Sequence, residues 1–141
     1  MNARFAVALS AIAVVLTSFL AFAAASKPEV AAQQAAEKWL TLLDDGKYVE
    51  SWTDMSAAFK KEVSKRKWKS TISDVREPLG KVVSRKLNSA EFTKELTGAP
   101  EGEYVVLTFN TDFQNKTNAV ETVTSMRGLD LIWRVSSYIV K

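Results

Sequence analysis

Apolar residues fall at helical three-and-four spacing through the first half of this chain and at near-alternate positions through the second. In EVAAQQAAEKWLTLLDDGKY, the residues Ala32, Ala35, Ala36, Trp39, Leu40 and Leu43 form one stripe, and Gly46 stands where a helix end is capped. Tyr48, Trp52, Met55 and Phe59 continue at i, i+4, i+7 and i+11, which predicts a second amphipathic segment from Tyr48 to Val63. Ser64 is a candidate N-cap for a third helix with Trp68, Ile72 and Val75 on its inner face. That helix ends at Glu77-Pro78, because the residue before a proline resists the helical region. From Lys81 the pattern changes to strands. KVVSRKLNSAEFTKEL, GEYVVLTFNTDF, AVETVTSM and LIWRVSSYIV are rich in β-branched and aromatic residues, and GAPEG, QNKTN and RGLD separate them. Helices followed by antiparallel strands predict an α+β fold, with N-terminal helices packed on an antiparallel sheet of about four strands.

The segment before the first helix has a different pattern. Arg4 precedes an apolar run from Phe5 to Leu20, and Ala21 to Ala25 offer small residues at the spacing read by a signal peptidase. The expectation is a cleaved signal peptide over residues 1–25, a single domain over residues 26–141, and a periplasmic or secreted location. Ala21-Phe22-Ala23 and Ala23-Ala24-Ala25 both fit the cleavage site. Uncleaved, the segment reaches the roughly 20 apolar residues of a spanning helix, and this is the one membrane contact expected. The chain has no Cys, which excludes a lipid-anchored form.

Removing the signal leaves about 115 residues, enough to bury a core without disulfides. Having no Cys and no His, the chain lacks thiolate chemistry, cysteine zinc sites and the commonest general base. No metal site and no cofactor is expected. Without Arg4 the balance is 18 basic to 16 acidic residues, too mild to imply a nucleic-acid partner.

Four features are candidates for chemistry. The run KKEVSKRKWK places Lys65, Arg66 and Lys67 in the first turn behind Ser64, where the helix dipole disfavours cations. It reads as an anion or surface patch, or as a solvated face whose lysine stems cover Trp68. Trp52, Phe109, Trp133 and Tyr138, with Arg85, are candidates for an apolar pocket between helices and sheet; otherwise the aromatics are core. Arg85, Glu121 and Arg127 are charges inside strands, either lining that pocket or facing outward to block edge pairing. Asp44-Asp45-Gly46 reads as turn chemistry. On the second strand, Tyr104, Val106 and Thr108 alternate with the core set Val105, Leu107 and Phe109. They are candidates for an interface on the far face of the sheet, with a homodimer or another envelope protein as partner.

AAEKWLTLLDDGKYVESW, REPLGKVVSRKL, GAPEGEYVVLTFNTDFQNK, AVETVTSM and the closing IWRVSSYIV, in this order, resemble the bacterial family named domain of unknown function 4019. The resemblance runs from about residue 32 to the end and implies an exported protein of uncharacterised function. The layout is also similar to the nuclear transport factor 2-like, or cystatin-like, α+β fold, a cone of bent antiparallel sheet covered by N-terminal helices. Enzymes of that fold use Asp, His or Tyr deep in the cone. This chain has no His, and no Asp falls in the middle of a predicted strand. Three readings follow. The first is a non-enzymatic module that binds a small apolar or amphipathic ligand or an envelope protein. The second is an isomerase- or hydrolase-like enzyme using a carboxylate with Tyr104 or Tyr138. The third is an envelope-surface protein acting through the basic helix. A carboxylate within hydrogen-bond reach of a tyrosine inside a closed cavity favours the second. A cone filled by aromatic side chains favours a scaffold.

Overall fold

A computed structural model describes residues 26–141, so the expected export segment lies outside the described residues. Helix α1 (Pro28–Asp44) opens with Pro28 at its first turn, where a missing N–H costs nothing. It closes on Gly46 at φ 71°, with Gly46 N–H donating to Leu43 O and Lys47 N–H to Leu42 O. This paired closure requires a left-handed residue, which glycine supplies without strain. Ala32, Ala36, Trp39, Leu40 and Leu43 form the buried stripe of α1.

The next amphipathic segment is two helices, α2 (Tyr48–Thr53) and α3 (Ala57–Glu62). The break lies at Ser56. Its hydroxyl accepts from Phe59 N–H as an N-cap, and its own N–H donates to Val135 O at 2.9 Å. The chain leaves the helical path there to satisfy the free edge of a strand, a tertiary demand that periodicity does not report. Helix α4 (Lys65–Arg76) begins at Ser64 as expected, with the hydroxyl accepting from Lys67 N–H. Trp68 and Ile72 are buried, but the third inward residue is Arg76 and not Val75, which is 37% exposed. A short 3-10 turn over Glu77–Leu79 leads into the sheet.

Strands β1 (Val82–Thr93), β2 (Tyr104–Phe113), β3 (Lys116–Arg127) and β4 (Trp133–Val140) pair antiparallel in chain order. The fold is therefore α+β: helices packed with a four-stranded antiparallel sheet. Irregularities near Ser84, Ser89 and Ser125 break the ladder register, and such bulges increase local twist. Val105, Leu107 and Phe109, with Val123 and Val135, face the helices and close one core with Trp39, Leu40, Met55, Trp68 and Ile72. Each such side chain contributes about 1.5–3 kcal/mol by leaving water. Trp39, Leu107, Phe109 and Val135 are buried as the periodicity predicts, whereas Trp52 and Trp133 are only half-buried. Among the described residues no helix is long and apolar enough to cross a membrane.

Candidate functional site

The densest polar arrangement lies where the end of α1 meets the sheet. Glu121 sits on β3 opposite Phe109 and is fully buried. Its Oε1 accepts from Arg85 Nε at 2.7 Å and from the Thr111 hydroxyl at 2.6 Å. Its Oε2 accepts from the Tyr138 hydroxyl at 2.6 Å and from Arg85 Nη2 at 3.2 Å. Arg85 also reaches Asp44, with Nη1 to Oδ2 at 2.7 Å and Nη2 to Oδ1 at 3.0 Å. Asp44 takes a further bond from Arg76 Nη2 at 2.7 Å. Two carboxylates and two guanidiniums thus form a neutral quartet, buried at Glu121 and Arg76 and open to water at Asp44, closed by two hydroxyls. The rest of the Arg76 guanidinium lies 5.2 Å from the Phe113 ring centre, and its Nε and Nη1 are buried without a partner among the described residues.

The electrostatics follow from this geometry. Burial disfavours the charged form of Arg85, but hydrogen bonds and charges from Asp44 and Glu121 outweigh that and raise its pKa. Burial also opposes ionisation of Asp44, yet Arg85 and Arg76 hold its carboxyl below the usual carboxylate range. Tyr138 is pushed well above the ordinary phenol range, first by burial and then by the Glu121 charge. It is therefore a proton donor locked in place. All four hydrogen bonds to Glu121 come from groups that are protonated through neutral pH.

The five pocket candidates divide accordingly. Arg85 and Tyr138 meet on Glu121, and Phe109 packs across the strand pair from it. Tyr138 also stands edge-on to Trp39 at 5.6 Å between ring centres. This part of the space between helices and sheet is occupied by side chains. Trp52 lies elsewhere, on α2, donating its indole N–H to Val63 O with Lys60 and Lys65 ammoniums 5.6 and 5.2 Å from the ring centre. Trp133 lines a separate groove beside Lys38 and Trp39. The strand charges correct the outward-facing reading: Glu121 has no exposure and Arg85 little, because the end of α1 and α4 bring Asp44 and Arg76 over that face. Arg127 is half-exposed and pairs with Glu103 at 2.9 Å.

In the basic run, Lys65, Arg66 and Lys67 are exposed on the first turn of α4. Lys60 and Lys65 stand over Trp52, and Trp68 is left to the core, where its indole N–H donates to the Ser51 hydroxyl. On the far face of the sheet Tyr104 is 2% exposed, so it is not the open centre of an interface. The chain's own β1–β2 loop covers it, and its hydroxyl donates to Pro100 O at 2.6 Å. Val106 is half-buried, and the Thr108 and Ser89 hydroxyls bond each other at 2.6 Å.

A small groove of about 320 Å3 borders Asp44 and Arg76, and more apolar open space lies toward the opposite end of the sheet from Glu121. Two adjoining grooves flank α3 and share Ala58 and Met126. One, of about 580 Å3, adds Met55, Leu129 and Gly128, with Lys60, Arg127 and Arg134 at its rim. The other, of about 650 Å3, adds Phe59, Leu96, Tyr104 and Ser137. Pattern reading missed these grooves and missed Asp44, Arg76 and Thr111 in the network. The one available signal was Asp44 at a helix end with Arg76 as an unassigned cation downstream. No group of His, Cys, Asp or Glu suited to a metal occurs among the described residues.

No curated protein and no solved structure matches the chain. Residues 35–138, most of its length and nearly all of the domain just described, match the family described as Protein of unknown function (DUF4019). The chain belongs to that family.

Proposed function

We propose that the protein is an exported, non-enzymatic binding module that takes a small apolar or amphipathic ligand, or an extended segment of an envelope protein, in the grooves flanking α3. The export signal read in residues 1–25 and a nuclear transport factor 2-like cone are part of this proposal. One observation carries it. The carboxylate of the carboxylate–tyrosine pair that an acid–base enzyme would use is sealed, with Glu121 at 0% exposure and both oxygens engaged, while the open grooves present half-buried Ala58, Phe59 and Met126. A general base must reach the proton it removes, and Glu121 reaches only its own neighbours. Concave, mostly apolar surface with a few charges at the rim suits an amphipathic ligand.

The test is binding of a fluorescent naphthylamine probe by the exported protein, beside native mass spectrometry of protein purified from its own periplasm. Wild type should bind, and Ala58→Trp, which fills the space shared by both grooves, should weaken binding at least tenfold with an unchanged circular-dichroism spectrum. Equal binding by both proteins refutes the groove. Hydrolysis or isomerisation of a screened substrate that Tyr138→Phe abolishes, without loss of folding, refutes the non-enzymatic reading.

A further inference from the structure

The β3–β4 connection presents aliphatic side chains to water on a rigid frame. Leu129 is fully exposed, Leu131 is 66% exposed and Ile132 is 52% exposed. The frame is closed by Gly128 N–H to Ile132 O and Leu131 N–H to Gly128 O, both 2.9 Å, and by Ile132 N–H to Asp130 Oδ1 at 3.1 Å. Arg134 clamps Asp130 through two bonds, at 3.0 and 2.8 Å. Leu131 holds φ 66°, a left-handed conformation that a branched side chain adopts at a cost and a glycine adopts freely. A turn built for stability alone would carry glycine there and polar residues beside it. This one spends strain and solvation to project three aliphatic groups.

We propose that the Leu129–Ile132 tip is an anchor that inserts into the surface of a lipid bilayer. At the base of the tip stand half-buried Trp133 and the cations Lys38, Lys60 and Arg134, the residue types that sit at headgroup level above an inserted apolar element. The topology directs the same corner toward the chain's N-terminal side. Ala35, Lys38 and Trp39 line one groove with Ile132 and Trp133, while Asp44 at the other end of α1 reaches Arg85, so the start of α1 projects past the tip end of the sheet. Asp130, Glu101 and Asp54 nearby offset the cations, so insertion is driven by apolar burial and not by net charge.

Leu129 also lines one of the grooves proposed above, so the experiment separates the two roles through Ala58→Trp, which fills the grooves and leaves the tip intact. The exported form, whose core is drawn from Ala32 to Val135, is floated with phosphatidylcholine vesicles and with vesicles containing phosphatidylglycerol, at low and high salt. Wild type should float with both, with little loss in salt beyond the screening range. Leu129→Asp should reduce flotation at least tenfold, since an inserted aliphatic side chain contributes about that factor. Leu129 is fully exposed, so this variant folds. Ala58→Trp and the combined Lys65→Gln, Arg66→Gln and Lys67→Gln variant should float like wild type. Absence of wild-type flotation overturns the proposal, as does flotation unchanged by Leu129→Asp. So does flotation that salt and the basic-helix variant abolish. A dimer in sedimentation that Leu129→Asp breaks, without flotation, would assign the tip to a second copy instead.

Discussion

Glu121→Gln tests the quartet most directly. The substitution keeps the shape and removes one charge, leaving Arg76 and Arg85 facing Asp44 alone. Glu121 accepts four bonds, from Arg85 Nε and Nη2, Thr111 and Tyr138. An amide offers one oxygen and one NH2 group. In either orientation its NH2 faces a guanidinium N–H, so one donor meets another. Breaking one side of a buried ion pair costs about 3–5 kcal/mol, and a hydrogen bond to a charged group about 1.5–3 kcal/mol. These overlap, so the expected loss is about 3–5 kcal/mol. For a domain of this size that lowers the melting temperature by about 10–20 °C. A domain holds only about 5–15 kcal/mol in total, so this loss is a large fraction of its stability. The assay is urea unfolding followed by tryptophan fluorescence, with Tyr138→Phe and the double variant completing a cycle. Tyr138→Phe alone should cost about 1.5–3 kcal/mol, and the two changes should be strongly non-additive because both remove the 2.6 Å bond. A melting temperature within about 2 °C of wild type for Glu121→Gln, or additive effects in the cycle, would refute the reasoning.

Three further outcomes are expected. Asp44 is more acidic in the folded protein than in the unfolded chain, so its stabilisation is complete above the unfolded carboxyl value near pH 4 and is lost as pH falls through the lower folded value; the stability gap between wild type and Asp44→Asn should be full at pH 7 and shrink below about pH 4 in acid melts. Tyr138 stays protonated in the fold well above the ordinary phenol range, so its contribution is complete below about pH 10 and declines above it; phenolate absorbance should rise together with unfolding, and Tyr138→Phe should flatten the alkaline slope. Leu131→Gly should raise stability by about 0.5–1 kcal/mol by relieving the left-handed backbone at φ 66°, read as a higher urea midpoint, with vesicle binding weakened at the same time.

How much of this was legible in the chain differs by feature, for physical reasons. The stripes Ala32 to Leu43 and Trp68 to Ile72, the Gly46 closure, the Ser64 cap and the strand alternation around Leu107 are local devices. Each is set by residues within a few positions of one another, so the sequence by itself determined the helices, the strands and the α+β class. The split at Ser56 was not legible, because it depends on Val135 O some 80 residues away. The same holds for Val75 giving way to Arg76, since Asp44 and Phe113 draw the guanidinium inward. A charge in a strand looks the same in sequence whether it faces water or a partner. Only the crossing of α1 over β1 and β3 decided that Arg85 and Glu121 are buried together with Tyr138. Tyr104 followed the alternation yet is hidden, because a loop folded back over the far face of the sheet. The position of Leu129 and Ile132 beside the grooves at α3 was likewise a tertiary outcome. Local pattern fixes which backbone forms, while long-range packing fixes which polar groups leave water and which apolar ones stay in it.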